Sequence, residues 1–262
     1  LCPRSFFGYP YNNGYTERDL TLEDAQRIFQ PKFIQQLDEL YINGNFGDAV
    51  MNTETIDIIE YFQSHSSRIH VHATWRMIDF DHNRHQQQTA RELSESMGFK
   101  RFQLMDYGRN VGPVFDRKGK LTHFIGQQPE WYSSFDDMLN RRINGSTTFE
   151  EITQGQTPQP IACEVEKKKS IYVSSTGDVY PCCYLGFEPK TFGRGAWHDA
   201  ANAQFSHMIG FNNAIEHSLE ACMAWFEEIE KTWSIPEFDQ GRLVICNRQC
   251  GNCGSSSGKS AV

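Results

Sequence analysis

Seven of the eight cysteines fall in the last hundred residues, and they are the side chains best suited to chemistry. Cys163 is followed after thirteen residues by Gly177 and after four more by Cys182. Cys246, Cys250 and Cys253 then share the run Cys-Asn-Arg-Gln-Cys-Gly-Asn-Cys. Grouped thiolates bind either a tetrahedral zinc or an iron–sulfur cluster. Residues 171–180, Ile-Tyr-Val-Ser-Ser-Thr-Gly-Asp-Val-Tyr, read as two short strands around a Ser-Thr-Gly-Asp turn. That hairpin brings Cys163 and Cys182 to one end of a small module. Cys250 and Cys253 close a four-thiolate site from the other side, with Cys246 as an alternative ligand. Zinc would need the same four thiolates, so spacing leaves both metals open.

The elements that must position such a site follow from the hydrophobic pattern. Thr21 reads as the N-cap of a helix running to about residue 29 and interrupted near Pro31. A strand is predicted over 39–43, then a glycine-bearing turn, Gly44-Asn-Phe-Gly-Asp48. A helix from Thr53 places Ile56, Ile59 and Phe62 on one face. Strands follow over 68–72 and 75–80, then a polar helix over 83–97 and a strand over 101–105. Strands alternating with helices predict a parallel α/β core whose ligands bind at the C-terminal strand ends. Residues 110–160 read as loop-rich with one helix at 134–142, and 212–233 as one helix with Ile215, Leu219, Cys222 and Phe226 on a face. Trp225 and Trp233 read as core.

The 262 residues suffice for a large domain plus a small one. The net charge of −8 and the lack of a long basic run disfavour a nucleic-acid partner. No stretch approaches twenty apolar residues, so no membrane span is expected. Cysteines bunched near one end suit a metal site in a reducing cytosol better than a disulfide framework, which predicts a cytoplasmic protein.

On these residues the chain resembles the radical S-adenosylmethionine enzymes. The C-x(13)-G-x(4)-C element at 163–182 with a later Cys-x2-Cys is similar to their auxiliary-cluster module of Twitch/SPASM type, the one-cluster Twitch form fitting better. Cys2-Pro-Arg resembles the end of the Cys-x3-Cys-x2-Cys motif that binds the catalytic cluster. The turn at 44–48 resembles the family's Gly-Gly-Glu turn, which binds the amino group of S-adenosylmethionine. The resemblance implies a partial (β/α)6 TIM-like barrel over 1–125, a linker over 126–160 and the auxiliary module over 161–262.

The same resemblance implies a catalytic [4Fe–4S] cluster with Cys2 among its ligands. It implies S-adenosylmethionine at Gly44, Asn45, Gly47 and Asp48, with Ile78 against the adenine. An auxiliary [4Fe–4S] cluster would sit on Cys163, Cys182, Cys250 and Cys253, with Cys246 the alternative ligand. Reductive cleavage of S-adenosylmethionine yields a 5′-deoxyadenosyl radical that abstracts a substrate hydrogen. Cys222 is then a candidate hydrogen donor, or else a buried structural cysteine. An external donor of flavodoxin or ferredoxin type would supply electrons. The expected reaction is maturation of a ribosomally made peptide by epimerisation, crosslinking or oxidation. The alternatives are dehydrogenation of a small-molecule alcohol or aminoglycoside precursor, and a non-catalytic zinc-stabilised binding protein.

Two departures from the family pattern stand out. The two upstream cysteines of the catalytic motif are absent, and only two residues separate the strand at 68–72 from the one at 75–80. A parallel crossover needs about a dozen residues. The expectation is that residues are missing before Leu1 and near Ala73 and Thr74.

Overall fold

A computed structural model describes residues 5–6, 9–10, 18–42, 52–71, 74–79, 83–96, 99, 101–106, 112–116, 118–128, 130–144, 148–186 and 197–251. The strands β1 (Ser5–Phe6) and β2 (Tyr9–Pro10) pair antiparallel. Thr21 caps α1 (Leu22–Ile28) as expected. Its hydroxyl accepts from the Asp24 N–H at 3.1 Å, and the Asp24 carboxylate accepts from the Thr21 N–H at 3.1 Å. Pro31 has no N–H for a helix interior but fits a first position, so it opens α2 (Pro31–Ile34) rather than prolonging α1.

β3 (Glu39–Leu40) runs parallel to β4 (His70–Val71), with α3 (Thr55–His65) between them in sequence. β5 (Thr74–Asp79) runs parallel to β6 (Arg101–Asp106), with a 3-10 turn (Arg84–Gln86) and α4 (Gln87–Ser96) between. Both are βαβ units of the expected kind. The buried face of α3 differs from the expected one. Ile58 and Phe62 are buried at i and i+4, whereas Ile56 is 62% exposed. Two residues turn about 200° around a helix, so Ile56 and Ile58 cannot share a stripe.

β4 and β5 do not pair with each other. Residues 72 and 73 are too few for a parallel crossover, so β5 takes β6 as its partner instead. The described residues form a mixed α/β structure whose strands pair in twos, and no barrel closes among them. The expected (β/α)6 arrangement is thus replaced there by two separate parallel pairs.

The loop-rich stretch after residue 110 contains an unexpected antiparallel hairpin, β7 (Gly112–Phe115) with β8 (Leu121–Ile125). Asp116 closes its turn, accepting the N–H groups of Lys118 at 2.8 Å and Lys120 at 2.9 Å. A 3-10 turn (Glu130–Ser134), α5 (Phe135–Asn144) and α6 (Phe149–Thr153) follow. Beyond them come α7 (Glu164–Lys168) and the antiparallel pair β9 (Tyr172–Val173) and β10 (Val179–Tyr180). The remaining helices are α8 (Trp197–Ala203), α9 (Leu219–Met223), α10 (Phe226–Lys231) and α11 (Val244–Cys250).

The single helix expected over 212–233 is two. Asn212 accepts the Val179 N–H at 2.6 Å and Ala214 donates to the Gly177 carbonyl at 2.8 Å, which holds this segment against the hairpin. Ser218 then caps a new helix through the Ala221 N–H at 3.2 Å.

The chain divides into two compact units, Leu1–Tyr11 with Gln30–Phe135, and Asn12–Phe29 with Asp136–Val262. The first holds both βαβ units and a cluster of rings, with Phe115 stacked on Phe135 and Tyr9 edge-on to both. The second is cored by Tyr180, Leu185, Phe205, Trp225, Ile229, Leu243 and Ile245. Among the described residues no helix is long and apolar enough to cross a membrane.

Candidate metal centre

Helix α11 begins inside the core, with Val244 and Ile245 buried. One helical turn separates Cys246 from Cys250, so both thiols lie on one stripe. The segment before Cys163 is laced along this helix. Asn247, 3% exposed, accepts the Gln159 N–H at 2.7 Å and donates to the Thr157 carbonyl at 3.1 Å. Ala162 donates to the Cys250 carbonyl at 2.9 Å, and Ile161 bridges Gly251 antiparallel. Gly251 permits that approach, because a Cβ there would stand 3.0 Å from the Gln159 Cβ of that segment and 2.3 Å from the Asn247 carbonyl oxygen of the helix. Cys163 is thereby delivered beside Cys250.

Cys182 arrives from the hairpin. Gly177 has φ +86° and lies under Ile215, so the turn is built for a residue without a side chain. Ser174, Thr176 and Asp178 bond to one another across it, Thr176 donating to Asp178 at 2.6 Å. β10 then leads through Pro181 to Cys182, whose carbonyl accepts the Gly186 N–H at 3.0 Å to form a short helical turn over 183–186.

Cys163, Cys182, Cys246 and Cys250 line one cavity of about 30 Å³, walled by Ile161, Val165, Leu185, Ile229, Ile245 and Trp233. The Cys250 thiol hydrogen-bonded to Cys163 draws the latter's pKa down to about 6; burial opposes, and the Glu166 and Val165 N–H groups assist. The same bond, and then burial, pushes Cys250 up. Burial lifts Cys182 to about 12. Burial likewise lifts Cys246 to about 12, opposed by the Trp233 indole N–H and the charge of Arg242. Ionisation is therefore favoured at Cys163 and disfavoured by burial at Cys182 and Cys246. Among the described residues, no three His, Cys, Asp or Glu side chains stand in a ligating arrangement. Binding a metal would require the thiols to turn inward and ionise.

The sequence expectations separate clearly on this map. Cys163, Cys182 and Cys250 come together, and Cys246 joins them on the cavity wall. Cys253, Cys2, Gly44, Asn45, Gly47 and Asp48 lie outside the described residues, as does the Ile78 side chain; the Ile78 backbone pairs with Met105 in the β5–β6 sheet. Cys222 is fully buried in α9 and is not among the cavity-lining residues. Trp225 belongs to the core as expected, but Trp233 lines the cavity instead. Sequence reasoning missed Arg242, which precedes the N-cap residue of α11 and is only 5% exposed. The signal was a lone arginine directly before the apolar run Leu-Val-Ile-Cys.

No family model, curated protein or solved structure matches this chain.

Proposed function

We propose that the four-cysteine cavity holds an iron–sulfur cluster and that the protein is a radical S-adenosylmethionine enzyme acting on a peptide. The observation that carries the metal centre is the convergence of Cys163, Cys182, Cys246 and Cys250 from three separate chain segments onto one cavity. Such convergence without a disulfide among the described residues suits thiolate ligation. The donor chemistry fits, since soft thiolates select zinc or iron–sulfur centres. Cys246 takes its place as a ligand beside the three others; Cys253 is the competing assignment.

The enzyme class rests on the resemblance described above. The two βαβ units of the first unit are of the kind a partial (β/α)6 barrel repeats, while no barrel closes among the described residues. In that reading Cys2 contributes to a catalytic cluster, and residues 44–48 with Ile78 bind S-adenosylmethionine. The bound groups would supply reductive cleavage to a 5′-deoxyadenosyl radical and hydrogen abstraction from substrate. The chain's own part is to fix ligands, exclude water and seat the substrate. Electrons would come from a flavodoxin- or ferredoxin-type donor. A small-molecule alcohol or aminoglycoside precursor is the competing substrate class.

A second reading is a zinc-stabilised binding protein. The cavity volume favours it, because a space of about 30 Å³ is nearer to one ion than to a cubane, so the thiols would move less to close on zinc. Anaerobic purification with iron, sulfide and zinc counts separates the two. Iron and sulfide in equal amounts, followed by 5′-deoxyadenosine on reduction with S-adenosylmethionine, supports the radical enzyme. One zinc in a colourless protein supports the structural clip.

A further inference from the structure

Two buried polar groups beside the cysteine cavity lack a full set of partners. The first is the Trp233 indole nitrogen. It is buried and near enough to the Cys246 thiol to oppose the rise in its pKa, yet it meets no acceptor at full hydrogen-bonding geometry. Leaving a buried N–H unpaired costs about 1–3 kcal/mol. The second is the Arg242 guanidinium, 5% exposed. Among the described residues no carboxylate pairs with it. Only carbonyl oxygens meet it: those of Trp233 and Ile235, each at 2.8 Å, and that of Gln159. A buried cation needs a compensating negative charge.

The two groups are linked. Arg242 grips the backbone of Trp233, and its charge acts on Cys246, four residues on in sequence. Its third carbonyl, that of Gln159, belongs to the segment that delivers Cys163. An N–H donor and a positive charge at one sulfur are what a metal-bound thiolate requires from its surroundings, because hydrogen bonds and net charge set its basicity and the potential of the centre.

We propose that Trp233 donates its indole N–H to the Cys246 sulfur in the metal-bound protein, and that Arg242 positions Trp233 and balances the negative charge of the thiolate centre. The proposal rests on reading the four cysteines as a metal centre, and it holds for either metal. Neither residue is a ligand; both act through Cys246.

The test uses the full chain purified anaerobically with its metal. Trp233 is replaced by phenylalanine and, separately, by benzothienylalanine, which keeps the indole shape and lacks the N–H. Metal content is counted, and then the rate of metal transfer to a competing chelator is followed. Both variants should keep the wild-type stoichiometry and release metal about tenfold faster. In an iron protein the reduction equilibrium constant should also fall, each tenfold step reading as 59 mV for one electron. Arg242→Lys should fall between wild type and Arg242→Gln in release rate. Wild-type release and potential in the benzothienylalanine variant would overturn the proposal, even if phenylalanine caused a loss, because shape alone would then matter. A wild-type protein with no metal defeats the metal-centre reading itself, and is recognised before any variant is compared.

Discussion

Ala162 donates its backbone N–H to the carbonyl of Cys250 at 2.9 Å. That one bond places the residue before Cys163 against the last residue of α11, so two cysteines almost ninety positions apart become neighbours. The lacing around it, and not the cysteines themselves, brings the thiols onto one cavity.

Asn247 is the centre of that lacing. Its amide serves both Gln159 and Thr157, and it is 3% exposed. Asn247→Ala removes two part-buried hydrogen bonds, with the Gln159 N–H and the Thr157 carbonyl, each worth about 0.5–1.5 kcal/mol. Urea unfolding should show a loss within that range or above it, and metal retention should fall with it. Asn247→Asp keeps the acceptor for Gln159 but loses the donor to Thr157, so it should fall between.

Gly177 fixes the turn that aims Cys182. With φ at +86° and Ile215 Cγ1 2.7 Å from any added Cβ, Gly177→Ala faces both backbone strain and a clash. Its expected cost is about 1–3 kcal/mol, read as a lower melting temperature. In an Ile215→Ala background, which lacks both Cγ1 and Cδ1, the added cost of Gly177→Ala should shrink.

Cys163 and Cys246 should behave oppositely towards alkylation in chelator-treated protein. Cys163 sits near 6 and is a thiolate at neutral pH; Cys246 sits near 12 and stays protonated. Iodoacetamide at pH 7, followed by peptide mass mapping, should label Cys163 well before Cys246 and Cys182. Cys250→Ala removes the hydrogen-bond donor at the head of that effect, so Cys163 labelling should slow.

Asp24 gives the acid limb of stability. Burial pushes its carboxyl up, but hydrogen bonds from Thr21 and the charge and hydrogen bond of Arg18 outweigh this, so its pKa is lowered. Its contribution is complete above the unfolded value near 3.8 and is lost as pH falls through the lower folded value. Asp24→Asn should flatten that limb of a stability–pH curve. Thr21→Ala, which removes the other half of the capping box, should cost about 1 kcal/mol at neutral pH.

Local chemistry was legible in the sequence where short-range rules decide. Thr21 with Asp24, the 171–180 hairpin and both βαβ alternations follow from caps, turns and period. Other features depend on partners far away in sequence. The 212–233 stretch has helical periodicity, but Asn212 and Ala214 bond to the hairpin, and Ser218 restarts the helix. The β7–β8 hairpin hid because Asp116 and Gly119 are not the adjacent pair of a two-residue turn. Cys246 entered the site because a helix places i and i+4 together, where a turn would have favoured the Cys250-x2-Cys253 pair. Arg242 and Trp233 could not be placed from sequence, since their meaning is a buried charge and a buried N–H at one sulfur.

The most direct measurement of the central claim is the metal and sulfide content of anaerobically purified Cys246→Ser beside wild type, with the visible spectrum of each. A wild-type protein with about four irons and four sulfides at this site, broad absorption near 400 nm, and a variant that loses them is the predicted result. One zinc per chain in wild type, or a Cys246→Ser variant with its iron and spectrum unchanged, would contradict the account.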